Sequence, residues 1–215
     1  MSATTVSANA LRDGVLRLVD VIHENKQELS EIDGAIGDGD HGINMNTGFQ
    51  RFRETVEGKN LDLSQMLEAL GTTLLEVTGG SLGPLYGSMF LAMGETVSGC
   101  DTIDAQKFLQ MLESGRDSLM EIGGAKPGDK TLLDCLCPAV DAFRTKLDEG
   151  ASFEECLEAL KQGAVAGKES TRDLVAKVGR ASRLGERSRG VLDAGAASCC
   201  LILCCLADSA QVRSN

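Results

Sequence analysis

Apolar positions along this chain recur with the period of an α-helix almost everywhere and with that of a strand almost nowhere. Leu11, Val15, Leu18, Val19 and Ile22 stand at i, i+4, i+7, i+8 and i+11, the stripe of an amphipathic helix. Met45, Phe49, Phe52 and Val56 predict a second helix from Ile43 to Val56, and Ser64 could cap a third carrying Met66, Leu67, Leu70, Leu74 and Val77. Leu85 to Val97 reads as a fourth. Asp104 caps a fifth through Phe108, Leu112 and Leu119, and Asp129 a sixth from Lys130 to Leu147 that Pro138 should kink. Ser152 and Glu155 form a capping box before Cys156, Leu157, Leu160 and Ala164, in a helix predicted to run to Val178. The apolar run Ala194 to Ala207 reads as a buried last helix, too short for a membrane span and interrupted by Ser198. The pattern predicts an all-α fold, about eight helices joined by short loops, in one domain over residues 1–215.

Composition narrows the partners. A net charge of −11 over 215 residues argues against nucleic acid and anionic membranes, which select basic surfaces. Nucleotides stay open, because bound metal ions invert the local field. Met1 to Ala10 is polar and shows no secretory signal. Of the 8 cysteines, Cys199, Cys200, Cys204 and Cys205 cluster in the last apolar run, and Cys135 and Cys137 lie in another periodic stretch. With no C-x-x-C pair and only 2 histidines, zinc is disfavoured, and reduced core thiols in a cytoplasmic protein are expected.

The chemistry concentrates in one stretch, Asp33 to Asn46. Asp33, Asp38 and Asp40 stand at i, i+5 and i+7 with Gly34, Gly37, Gly39 and Gly42 among them, which predicts a tight loop that gathers three carboxylates. Such carboxylates repel one another unless cations sit between them, and hard oxygens in a small cluster suit Mg²⁺ shared with substrate phosphates. His41, Asn44 and Asn46 add neutral polar groups for phosphate or ligand oxygens. The helix that follows Gly42 would turn its free N–H groups toward an anion.

Three other motifs fail here. Gly37-x-Gly39-x-x-Gly42 matches a dinucleotide fingerprint, but no β-branched strand precedes it and acidic residues fill it. An EF-hand starting at Asp38 would put Phe49 where the bidentate Glu belongs. Gly123 to Thr131 nearly spells a P-loop, but Asp129 separates the second glycine from the lysine, and no strand leads in. Thr78 to Pro84 and Gly190 to Gly195 are further glycine-bearing turns before helices. Between Lys168 and Arg189 lies the one basic stretch, read as solvated helix-face charge with a few residues to neutralise phosphate or dock an acidic partner.

Together these residues resemble the L subunit, or nucleotide-binding domain, of dihydroxyacetone kinases. Ile36 to Met45 is similar to that family's metal-binding loop, and Gly79 to Gly87, Pro127 to Thr131 and Gly179 to Ser188 are similar to its later motifs. The resemblance covers nearly the whole chain, in four ordered motifs. It implies an eight-helix antiparallel up-and-down barrel with ADP or ATP and two Mg²⁺ ions at one end. It implies Asp33, Asp38 and Asp40 as metal ligands, and His41 and Asn44 at the phosphates or metal shell. Ser81, Leu82, Gly123, Thr131, Leu132, Arg180 and the turn Asp193, Ala194 and Gly195 would complete the nucleotide pocket. The family usually has Asp-Pro-Gly at that turn; Ala194 in place of proline loosens a fixed φ and bears on nucleotide affinity or exchange.

The implied activity is that of half an enzyme. The nucleotide is presented to a separate K-type subunit that holds dihydroxyacetone or a related short ketose. The phosphoryl donor is either exchanging ATP or a phosphohistidine protein of the sugar phosphotransferase system that recharges bound ADP. A homodimer is left open. The rival reading is a non-catalytic nucleotide sensor that binds a transcription regulator through the same end.

Overall fold

A computed structural model describes residues 5–211. Its eight α-helices are α1 (Ala8–Ile36), α2 (His41–Val56), α3 (Leu63–Val77), α4 (Leu82–Thr96), α5 (Ala105–Gly123), α6 (Leu133–Asp148), α7 (Phe153–Ser170) and α8 (Ala194–Ala210). Each packs against the next and α8 returns against α1, so the helices close into a ring. Short connections between neighbours make successive helices antiparallel. The all-α expectation is met. One small addition escaped the pattern: β1 (Thr5–Ser7) pairs antiparallel with β2 (Thr102–Asp104), Val6 opposite Ile103. Strands of three residues are too short to show a period of two.

The stripe that predicts α1 is the stripe that is buried: Leu11, Val15, Leu18, Val19 and Ile22 all face the core. Few aromatics contribute, but Phe108, Phe143 and Phe153 form one cluster, with centroids 5.6 Å apart for Phe108–Phe143 and Phe108–Phe153. All 8 cysteines are free thiols, and no helix among the described residues is long and apolar enough to cross a membrane.

Several boundaries differ from those predicted. Asp33 and Gly34 lie within α1 rather than in a loop. Glycine costs a helix about 1 kcal/mol, and burial of Leu29 and Ile36 on either side outweighs it. Asp62, not Ser64, caps α3 in a capping box with Gln65, and the Ser64 hydroxyl donates to the Gly94 carbonyl. Helix α4 begins at Leu82, so Pro84 falls in its first turn, where a missing N–H costs nothing. Asp129 caps nothing; α6 starts four residues later. Asp104, Ser152 with Glu155, and Asp193 do cap α5, α7 and α8.

Pro138 sits inside α6 as expected. It cannot bond the Asp134 carbonyl, and α7 approaches closely there through Gly167, where a Cβ would lie 2.4 Å from that oxygen. Helix α7 ends at Ser170, short of Val178. A strap over residues 171–193 follows, containing a 3-10 helix from Arg180 to Ser188 that breaks at Gly185 (φ 55°, ψ −129°).

Candidate functional site

Four connections meet at one end of the ring: residues 37–40, 78–81, 124–132 and the 171–193 strap. Side chains tie these corners together. The His41 Nε2 at the head of α2 lies 2.9 Å from the Ser198 Oγ in the first turns of α8. The Tyr86 hydroxyl of α4 donates to the Gly195 carbonyl at 3.0 Å and lies 2.7 Å from the same Ser198 Oγ. Gly195 in turn packs against Leu132, 3.5 Å from where its Cβ would be.

At this end the carboxylates of Asp33, Asp38 and Asp40 each place an oxygen within 4.8 Å of the others. Three local features force that proximity. Gly39 takes φ 76°, turning the chain back between α1 and α2. A Cβ on Gly37 would lie 2.5 Å from the Asp33 Oδ1, and one on Gly42 would lie 1.9 Å from the Lys26 carbonyl of α1. The Asp33 carboxylate also accepts the His41 N–H at 3.3 Å. Asp40 occupies the N-cap position of α2, yet its side chain makes no capping bond and belongs to the carboxylate cluster instead. At 4.8 Å each pair of charges repels by about 1 kcal/mol in water and about 3.5 kcal/mol at the effective dielectric of a protein surface. Arg180 reaches in from the strap and pairs with Asp38.

The donor set is three hard carboxylate oxygens at partly open positions, which fits Mg²⁺ held jointly with phosphate oxygens. Around it, α2 and α4 begin without a side-chain cap at Asp40 and Ser81, leaving first-turn N–H groups such as those of Ile43 and Gly83 to meet an anion. At the head of α6, by contrast, the Leu133, Asp134 and Cys135 N–H groups are taken up by Thr131 and Leu132. Burial lowers the His41 pKa although Asp33 opposes this, so the imidazole is held neutral at physiological pH. Asn44 follows one turn later, its N–H bonded to the Asp40 carbonyl at 2.9 Å. Ser81 is exposed, Leu82 packs on the core, and Gly123 is exposed at the end of α5, facing Leu85.

Two predicted residues are already engaged. Thr131 donates its N–H to Asp134 at 2.7 Å and accepts the Leu133 N–H on its hydroxyl, leaving the hydroxyl proton to give. The Asp193 carboxylate accepts the Ala196 N–H at 2.7 Å as the α8 cap, and burial lifts its pKa to about 7. Ala194 occupies the first helical position, where the family's proline would fit equally well. Sequence reasoning missed Tyr86, Ser198 and Lys130. Ser198 carried a signal, as a hydroxyl in an otherwise apolar helix. Lys130 carried one in the near P-loop, but its ammonium is buried against the strap rather than offered to phosphate.

Comparison with known proteins gives a consistent picture. The family model described as the DAK2 domain matches residues 35–208. The ADP-binding subunit DhaL of the PEP-dependent dihydroxyacetone kinase of Escherichia coli is 34% identical over 208 residues, 96% of this chain and 99% of that one. The ADP-binding subunit DhaL of PEP-dependent dihydroxyacetone kinase 1 of Listeria innocua is 40% identical over 182 residues, 84% of this chain and 86% of that one. Among solved structures, the C. freundii dihydroxyacetone kinase in complex with AMP-PNP and Mg²⁺ superposes with a TM-score of 0.70 at 23% identity. That match takes in 97% of this chain and 35% of the longer kinase, and it shows the shared fold.

Proposed function

The chain belongs to the DAK2-domain family, as a DhaL-like dihydroxyacetone kinase subunit, and on that premise we propose that it carries the nucleotide of a kinase for dihydroxyacetone or a related short ketose. One observation carries the reading: three clustered carboxylates lie at the end of the ring where the uncapped heads of α2 and α4 arrive. Asp33, Asp38 and Asp40 would seat two Mg²⁺ ions, which when bound neutralise phosphate charge during phosphoryl transfer. The N–H groups at the heads of α2 and α4, with Asn44 and Ser81, would hold the phosphates. Neutral His41, fixed by Ser198, would donate to a phosphate oxygen without repelling the nearby ions. Arg180, paired with Asp38, would move its charge to the nucleotide once cations replace it there. Leu82, Gly123, Thr131, Leu132 and the Asp193–Gly195 turn would wall the rest of the pocket.

The ketose is assigned to a K-type partner subunit. The E. coli and L. innocua relatives are named as ADP-binding and PEP-dependent, which favours bound ADP recharged in place, through a phosphohistidine protein, over exchanging ATP. The test mixes the purified chain with a K-type subunit, dihydroxyacetone, Mg²⁺ and either ATP or a PEP-driven phosphohistidine donor, and measures ketose phosphate. Product with the second donor, together with ADP that survives desalting, supports the reading. Bound nucleotide without ketose phosphate under either donor would overturn the transfer role and leave a nucleotide-sensing regulator.

A further inference from the structure

We propose that Lys130 is a positioning residue for the nucleotide site, its buried ammonium clamping the strap that carries Arg180 and the Asp193–Gly195 turn; the inference rests on the nucleotide reading above. Lys130 is 2% exposed. Its Nζ donates to the main-chain carbonyls of Thr171 at 2.7 Å, Ser188 at 2.7 Å and Val191 at 2.6 Å, with the Leu174 carbonyl further off at 3.3 Å. Three short bonds match the three protons of an ammonium, so none is left for a phosphate. Lysine is almost never buried unless paired, and here the pairing is with carbonyls from the start, the far end and the exit of one segment.

The backbone shows the same purpose. Lys130 is the one non-glycine residue with positive φ (64°) among the described residues. The turn that holds it there is tied on both sides. Asp129 accepts the Lys126 N–H at 3.0 Å, and Thr131 donates to Asp134 at 2.7 Å. The strap's other bonds mostly close it on itself: Gly190 N–H to the Arg172 carbonyl at 2.7 Å, and Ala176 N–H to the Ser188 hydroxyl at 2.9 Å. Lys130, with the Lys177 N–H bonded to the Asp129 carbonyl at 3.1 Å, fixes the closed strap to the loop before α6. Without the ammonium, buried carbonyls lose their donors and the strap is free to drift. Arg180 then leaves Asp38, and the head of α8 loses its support. Asp33 lies in α1, and Asp38 and Asp40 in the short connection from α1 to α2, so the three aspartates stay in place.

The experiment compares Lys130→Ala with the wild-type full chain in three readouts. Trypsin cleavage after Arg180, Arg183 and Arg187, without nucleotide, reports the strap. Calorimetric titration with Mn²⁺ alone reports the carboxylate cluster, and titration with MgADP reports the nucleotide site. Expected are cleavage in the strap at least tenfold faster, MgADP bound at least tenfold more weakly, and Mn²⁺ bound no more weakly, since Asp38 gives up a competing guanidinium. Unchanged cleavage overturns the clamp whatever the nucleotide does, and faster cleavage with unchanged MgADP affinity overturns the positioning role. A general structural loss, with Mn²⁺ affinity falling alongside, also overturns it. Failure of the wild type itself to bind MgADP would instead overturn the nucleotide reading, and the positioning role with it. If Lys130→Ala loses its helicity, Lys130→Gln, which keeps two N–H donors, is judged by the same outcomes.

Discussion

Gly42 is where the geometry of the carboxylate cluster can be broken by one methyl group. It lies in the first turn of α2, where that helix crosses α1, and a Cβ there would stand 1.9 Å from the Lys26 carbonyl oxygen and 2.7 Å from the Ser30 Oγ. The nearer atom is helix backbone and cannot rotate away, so Gly42→Ala must part the helices by roughly 1.5 Å to reach van der Waals separation. Asp40 and His41 ride on the head of α2, whereas Asp33 belongs to α1. A shift of that size is about a third of the 4.8 Å span of the carboxylate oxygens. Overpacking of this kind costs about 1–3 kcal/mol, or about 2–12 °C in melting temperature for a chain of this size. Misplacing one ligand of a cluster by more than 1 Å should weaken MgADP binding on the order of tenfold to a hundredfold. Calorimetric titration beside a thermal melt separates the two effects, with Gly71→Ala as control. Its Cβ would meet the Gly87 carbonyl at 2.7 Å, midway along α3 and away from the aspartates. The control should melt lower and bind normally. Wild-type affinity in Gly42→Ala, or an equal loss in both variants, would refute the reasoning.

Three further substitutions test other parts of the account. Burial lifts the Asp193 carboxyl from 3.8 to about 7, so the folded chain holds that proton more tightly than the unfolded one. Its contribution to stability is therefore full below pH 3.8 and lost as pH rises through 7. Asp193→Asn, which still offers an oxygen to the Ala196 N–H, should gain on the wild type between pH 5 and 8. The gain is at most about 4 kcal/mol, read from nucleotide-free melting curves; a constant difference across that window would count against the assignment. Tyr86→Phe removes the hydroxyl that donates to the Gly195 carbonyl and bonds the Ser198 hydroxyl. It should cost about 1 kcal/mol and lower the calorimetric melting temperature by about 2–4 °C, and an unchanged melt contradicts that. Gly167→Ala places a Cβ 2.4 Å from the Asp134 carbonyl, so chemical denaturation should show about 1–3 kcal/mol lost, and a loss well below 1 kcal/mol would mean α6 and α7 are not packed as described.

Much of the fold was legible because it is built on one period. The buried faces of α1 and α5 are the residues whose spacing predicts them, α3 buries its predicted stripe except for the exposed Val77, and Asp104, Ser152 and Glu155 cap where their chemistry says they should. Boundaries were lost where packing overrides local preference. Gly34 stays helical because its neighbours are buried, and Ser64 yields its cap to Asp62 because its hydroxyl finds the Gly94 carbonyl. The sequence reading carries α7 on to Val178, whereas the helix ends at Ser170 and residues 171–178 open the strap. The aspartate cluster was readable from glycine spacing alone, although Asp33 joins it from a helix and not from the loop. Lys130 was not readable as a clamp, since its partners are carbonyls of residues 41 to 61 positions away.

The central claim is that Asp33, Asp38 and Asp40 exist to hold divalent cations under a nucleotide. Calorimetric titration of ADP into the wild type, Asp38→Asn and Asp40→Asn, with Mg²⁺ and with EDTA, tests it most directly. The account expects tight binding only in the wild type with Mg²⁺, and loss of that binding in both variants while their circular dichroism stays that of the folded chain. Mg²⁺-dependent binding of undiminished affinity in the two variants would contradict it.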